Sequence, residues 1–139
     1  MIDLETARQL KTAGLDWQPE ILDYFGIPDR HMDERIFVIS DILVTVEVLQ
    51  GLQIVSFQGA SEWALDYLVT TDAIWIPRED QLRKALEAAL LESGRPEFRM
   101  SGGLAGYQCD LVFNEQTLSF RGDDASQVYA QALLHIMGE

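Results

Sequence analysis

Asp29, His31, Asp33 and Glu34 fall within six residues of one another. An imidazole among carboxylates is the donor set of an oxygen-rich metal site or of a general acid–base pair. One histidine with loosely spaced acids and no second histidine nearby falls short of a ligand pattern. The stretch therefore reads as a solvated polar connection. With Arg30 inside it, the connection also has the mixed charge of a contact surface. Trp75 and Arg78 flank Pro77. Tryptophan and arginine are the residue types that anchor protein interfaces. Asp29, Arg30, His31, Asp33, Trp75 and Arg78 are therefore the candidate partner surface, although core packing is the commoner role for each of Trp17, Trp63 and Trp75.

Other chemistry-bearing residues have structural readings. Cys109 sits in an apolar strand pattern with no cation beside it, which predicts an inert buried thiol. Glu79 and Asp80 open a helix, where acids favour the helix dipole. His135 stands near a helix C-terminus, where a cation does the same. The chain contains no Gly-x-x-x-x-Gly-Lys, Gly-x-Gly-x-x-Gly, Gly-x-Ser-x-Gly, His-Glu-x-x-His or Cys-x-x-Cys. The small-residue run 101–106 joins two strands and opens no helix, so it is no phosphate cradle. No catalytic residue, metal ligand or cofactor is assigned.

The elements that hold these residues follow from hydrophobic period and punctuation. Helices are predicted over 3–13, 61–69, 78–93 and from Asp123 or Asp124 to 137. Strands are predicted over 36–39, 43–49, 53–58, 73–76, 97–101, 107–113 and 117–121, with Gln50-Gly51 as a hairpin turn. Residues 21–25 read equally as a strand or a helical turn, and 26–34 as a polar connection. The sum is one α+β domain over 1–139, with a mainly antiparallel sheet and helices packed on one face. The run Ser56-Phe57-Gln58-Gly59 is echoed by Ser119-Phe120-Arg121-Gly122, each copy predicting a strand, a glycine corner and a helix.

Charge narrows the partners. The chain has 139 residues, with 23 acids against 10 bases, a net charge of −13 at pH 7. That charge works against phosphate backbones and anionic membranes, so nucleic acid and membrane are excluded as partners. The order helix, three strands, helix over 78–137 matches a double-stranded RNA-binding module. However, the start of its last helix carries Asp123 and Asp124 where that module needs lysines. A single cysteine fits a reducing compartment, and neither a leader nor a membrane span is legible, so a cytoplasmic protein is expected.

Five phrases carry a resemblance: residues 7–17, Ile27-Pro28-Asp29-Arg30-His31-Met32-Asp33, Glu62-Trp63-Ala64-Leu65-Asp66, residues 75–83 and residues 129–135. Together they resemble a family of short bacterial proteins labelled pilus assembly protein CpaE. The resemblance implies a bacterial protein in a pilus or secretion neighbourhood. The larger partitioning-type ATPases of that name have a Lys-bearing P-loop that is missing here, so no ATPase role or catalytic residue is carried over. The expected function is a non-enzymatic accessory or regulatory module working through contact with a protein partner, with a homodimer as one form. Two alternatives remain: an acidic mimic of nucleic acid that blocks a binding groove on its partner, and a small enzyme using the carboxylates of 29–34 with or without a metal.

Overall fold

The computed structural model describes residues 1–28, 32–39, 44–57, 67–69 and 72–138. In chain order the elements begin with α1 (Leu4–Thr12), β1 (Tyr24–Ile27), β2 (Met32–Val38), β3 (Val44–Leu49), β4 (Leu52–Phe57) and β5 (Tyr67–Val69). They continue with β6 (Ile74–Ile76), α2 (Glu79–Glu92), β7 (Phe98–Gly103), β8 (Gly106–Phe113), β9 (Gln116–Gly122) and α3 (Ala125–Met137). The α+β class expected from the sequence is the one observed, and every strand pairing among the described residues is antiparallel. The strands do not form one sheet. Among the described residues they divide into three sheets of three, ordered β2-β1-β6, β3-β4-β5 and β7-β8-β9. The chain forms two compact units, Met1–Leu15 with Pro77–Glu139, and Asp16–Ile76.

In the first unit, β7, β8 and β9 make a meander with α3 lying against β8 and β9, and both α1 and α2 packed on α3. The α2 stripe is Leu82, Leu86 and Leu90, all fully buried at a spacing of four. Gly94, with φ of 86°, ends the helix where the sequence places its stop. The β8–β9 turn puts Asn114 and Glu115 at φ of 50° and 65°, the pair of positive values that a tight hairpin needs.

Caps start the helices. The Asp124 side chain accepts from the Ser126 amide at the head of α3, and Asp3 Oδ1 accepts from the Thr6 amide at 2.7 Å at the head of α1. Hydrogen bonds from the Thr6 side chain and from its amide hold the Asp3 carboxyl below its ordinary value of 3.8. A depressed acid stabilises the fold above its unfolded pKa and loses that contribution as pH falls through the folded value. Asp3→Ala is therefore expected to cost about 1 kcal/mol at pH 7. In urea titrations at a series of pH values, the gap from the parent chain should narrow as pH falls below the ordinary value of 3.8 and through the lower folded value.

The second unit holds the other two sheets. Gln50 and Gly51, at φ of 53° and 79°, make the predicted turn between β3 and β4. Phe25, Ile27, Ile39, Val55 and Ala73 form its core, with Trp17, Phe37 and Val46 packed against them. Two predicted segments are corrected here. Residues 67–69 end the predicted helix 61–69 but are strand, because Tyr67, Leu68 and Val69 pair with Ser56, Val55 and Ile54 of β4. Residues 61–66 and the Gly59 corner of the internal echo lie outside the described residues. The polar connection 26–34 is also partly strand: Ile27 closes β1 and is buried, and β2 begins at Met32. The pairing of β1 with β2 overrides the polar composition of 32–35.

Candidate functional site

The sheet β2-β1-β6 places a hydrophobic face and an open edge together. Cross-strand register puts Phe25 opposite both Phe37 and Trp75 on one face. On that face Phe25 meets Phe37 at 5.5 Å and Trp17 at 6.0 Å between ring centroids, and Trp17 stacks on Trp75 at 6.3 Å. By the two-residue period of a strand, Tyr24, Ile36 and Val38 lie on the opposite face. Ile36 and Val38 are 54% and 39% exposed, unusual for β-branched strand residues on a sheet.

The edge is as informative as the face. β2 is an end strand, and among the described residues no strand pairs with its outer side. The Ile39 amide donates to the Asp23 carbonyl at 3.0 Å, and the Ile39 carbonyl accepts from the Leu22 amide at 2.8 Å. Backbone direction alternates along an antiparallel strand, so the N–H and C=O groups of Val38 and Ile36 point away from β1, toward the open edge. The same two residues thus offer exposed apolar side chains and outward backbone groups.

Asp23 fixes the approach to this sheet. It is 2% exposed, and its Oδ2 accepts from Trp17 Nε1 and from the Glu20 amide, each at 3.0 Å. The buried carboxylate thereby ties the 17–23 segment to the start of β1 and holds Trp17 over Phe25. Ile21 and Leu22 stand exposed beside it, 58% and 64%. Leu22 has φ of 76°, a left-handed value that a leucine adopts only when its surroundings hold it there.

Charge and apolar exposure are both concentrated in this unit. Residues 16–76 hold eleven acids against two arginines, −9 of the chain's −13, and the remaining residues hold twelve acids against eight bases. Among its described residues, six large apolar side chains are exposed: Ile21, Leu22, Ile36, Val38, Val48 and Leu52.

The residues singled out from sequence are placed as follows. Trp75 lies in β6, half-buried against Trp17, with its Nε1 buried and without a hydrogen-bond partner among the described residues. Arg78 heads α2, its amide donating to Gln81 Oε1 at 2.9 Å and its guanidinium pairing with Asp80 at 3.2 Å. Asp33 is in β2. Asp29, Arg30 and His31 lie outside the described residues. The exposed pair Ile36 and Val38 was missed as a surface, because an apolar β-branched run reads as core.

The first unit has a different character. On the outer face of its sheet, Asp110 accepts from Gln108 and Ser119, and Gln108 accepts from Arg121 at 2.7 Å. These hydrogen bonds, with Arg121 and Arg99 nearby, hold the Asp110 carboxyl below its ordinary value. An open cleft of about 690 Å³ runs past Ser101, Leu104, Tyr107 and Arg121 at the end of that sheet. His135 packs its ring against Phe120 at 5.7 Å in the last turn of α3. Among the described residues no three His, Cys, Asp or Glu side chains gather to hold a metal, and no helix is long and apolar enough to cross a membrane.

Cys109 is fully buried, and burial, with Asp110 beside it, pushes its thiol up to about 11. A neutral enclosed thiol is a poor nucleophile. A thiol reagent at pH 8 is therefore expected to label less than a tenth of the native chain in the time it labels the urea-unfolded chain fully. Prompt native labelling would contradict the burial.

Comparison with family models, curated proteins and solved structures finds no match to this chain.

Proposed function

We propose that the chain is an accessory or regulatory module that acts by binding another protein, not by catalysis. The observation that carries this reading is the exposed Ile36 and Val38 on an open sheet edge within the most acidic part of the chain. Exposed apolar side chains gathered on a stiff element cost solubility and favour burial against a partner. The dense carboxylates around them in sequence keep the free protein soluble and steer cationic partners toward it. A pilus or secretion setting, implied by the resemblance of the five sequence phrases, belongs to the same proposal.

The test is capture from native bacterial lysate on the immobilised full chain, with the mass of any complex measured by light scattering. A protein retained in fixed stoichiometry is the expected result. A chain that stays monomeric and retains nothing above a blank surface would overturn the reading.

A further inference from the structure

Resting on that reading, we infer that the partner docks as an added strand along β2, and that it is an extended, cationic segment with an apolar residue at every second position. Three features define this occupant. The outward backbone groups of Ile36 and Val38 are unpaired by any strand among the described residues, and only an extended chain matches their spacing. The exposed side chains of Ile36 and Val38 alternate with Phe37, whose ring is turned to the core against Phe25. An added strand places its own alternate side chains beside them on one face, and those must be apolar to bury the pair. Finally, residues 16–76 carry eleven acids against two arginines, and β2 itself includes Asp33 and Glu34. An acidic strand would be repelled by that field and a neutral one would gain nothing from it, whereas lysines or arginines at its intervening positions would be drawn to it. A second copy of this chain brings the same −9 to the contact, so the occupant is a different protein.

The experiment titrates the full chain with dye-labelled synthetic peptides and follows fluorescence anisotropy. The cationic probe alternates lysine and valine over seven residues. A second peptide replaces its lysines by glutamates. A third is N-methylated at two adjacent central amides, which keeps charge and side chains but blocks both edges for pairing. The cationic probe is expected to bind and to weaken several-fold between 50 and 200 mM salt. Methylation or charge inversion should weaken it about tenfold or more, as should the double variant Ile36→Ser, Val38→Ser. That variant keeps the chain's charge, and the exposure of both residues leaves the fold intact, which unchanged tryptophan fluorescence would verify. Leu91→Ser, at an exposed leucine of α2, serves as the control and should bind as the parent does.

Failure of the cationic probe to bind would overturn the inference. Equal binding by the glutamate or methylated peptide, or by the serine double variant, would do the same. A dimer of the parent chain dissolved by the serine substitutions would also overturn it, since the occupant would then be a second copy. If lysate capture yields a partner that depends on Ile36 and Val38 while every peptide fails, the strand-addition inference falls and the protein-contact reading stands. If capture fails as well, both fall.

Discussion

Replacing Asp23 by alanine is expected to destabilise residues 16–76 by about 3 kcal/mol. Two hydrogen bonds to a buried carboxylate are lost, each worth about 1.5 kcal/mol or more. The loss leaves Trp17 Nε1 and the Glu20 amide without that acceptor and frees the 17–23 segment that holds Trp17 over Phe25. All three tryptophans of the chain, Trp17, Trp63 and Trp75, fall in 16–76, so selectively excited tryptophan fluorescence reports this unit alone. The urea midpoint read by fluorescence should drop, with a red shift in the native emission as Trp17 loses its packing. Asp23→Asn keeps one acceptor oxygen and should lose about half as much. If both variants unfold within about 0.5 kcal/mol of the parent chain, the carboxylate is not the tie described here.

Gly106→Ala should cost the first unit a comparable amount, about 3 kcal/mol. Two penalties combine. Gly106 has φ of 111°, a value that L-residues rarely adopt and that costs about 1–3 kcal/mol. A β-carbon there would also stand 2.9 Å from the Gly122 carbonyl oxygen, a backbone atom that cannot swing aside. The start of β8 and the end of β9 approach so closely because Tyr107 pairs with Gly122. Gly51→Ala separates the two effects. Its φ is 79°, but a β-carbon there meets nothing within 4 Å, so only the backbone term of about 1 kcal/mol should appear. Circular dichroism in urea, together with exposure of Cys109 to a thiol reagent, reads the first unit for Gly106→Ala, and tryptophan fluorescence in urea reads residues 16–76 for Gly51→Ala. Equal losses for the two alanine variants would show that the contact with Gly122 is unimportant.

Helices α1, α2 and α3 and the three-strand meander were legible because their signals are local. The Leu82, Leu86 and Leu90 stripe, the Asp3 and Asp124 caps and the Gly94 stop each act within a few residues. The partition of the strands into three sheets was not legible, because pairing joins segments far apart, such as Tyr24 with Ile76. For the same reason Tyr67 to Val69 read as the end of a helix: their partners on β4 decide their state. Of the sequence-based surface, Ile27 lies in β1, Asp33 and Glu34 in β2 and Trp75 in β6, while 29–31 lie outside the described residues. The exposed face of that sheet is built from Ile36 and Val38, whose apolar, β-branched character gives no sign in sequence that they point to solvent. The role of Asp23 was likewise invisible, since one acid among 23 looks like any other until its burial is known.

The central claim is that the chain works by protein contact through the β2 edge. The most direct test compares the proteins captured from one lysate by the parent chain, by the Ile36→Ser, Val38→Ser double variant and by Leu91→Ser, quantified by mass spectrometry. The expected result is a stoichiometric protein retained by the parent and by Leu91→Ser and lost with the double variant. Identical retention by all three chains would contradict it, because the contact would then lie elsewhere on the molecule.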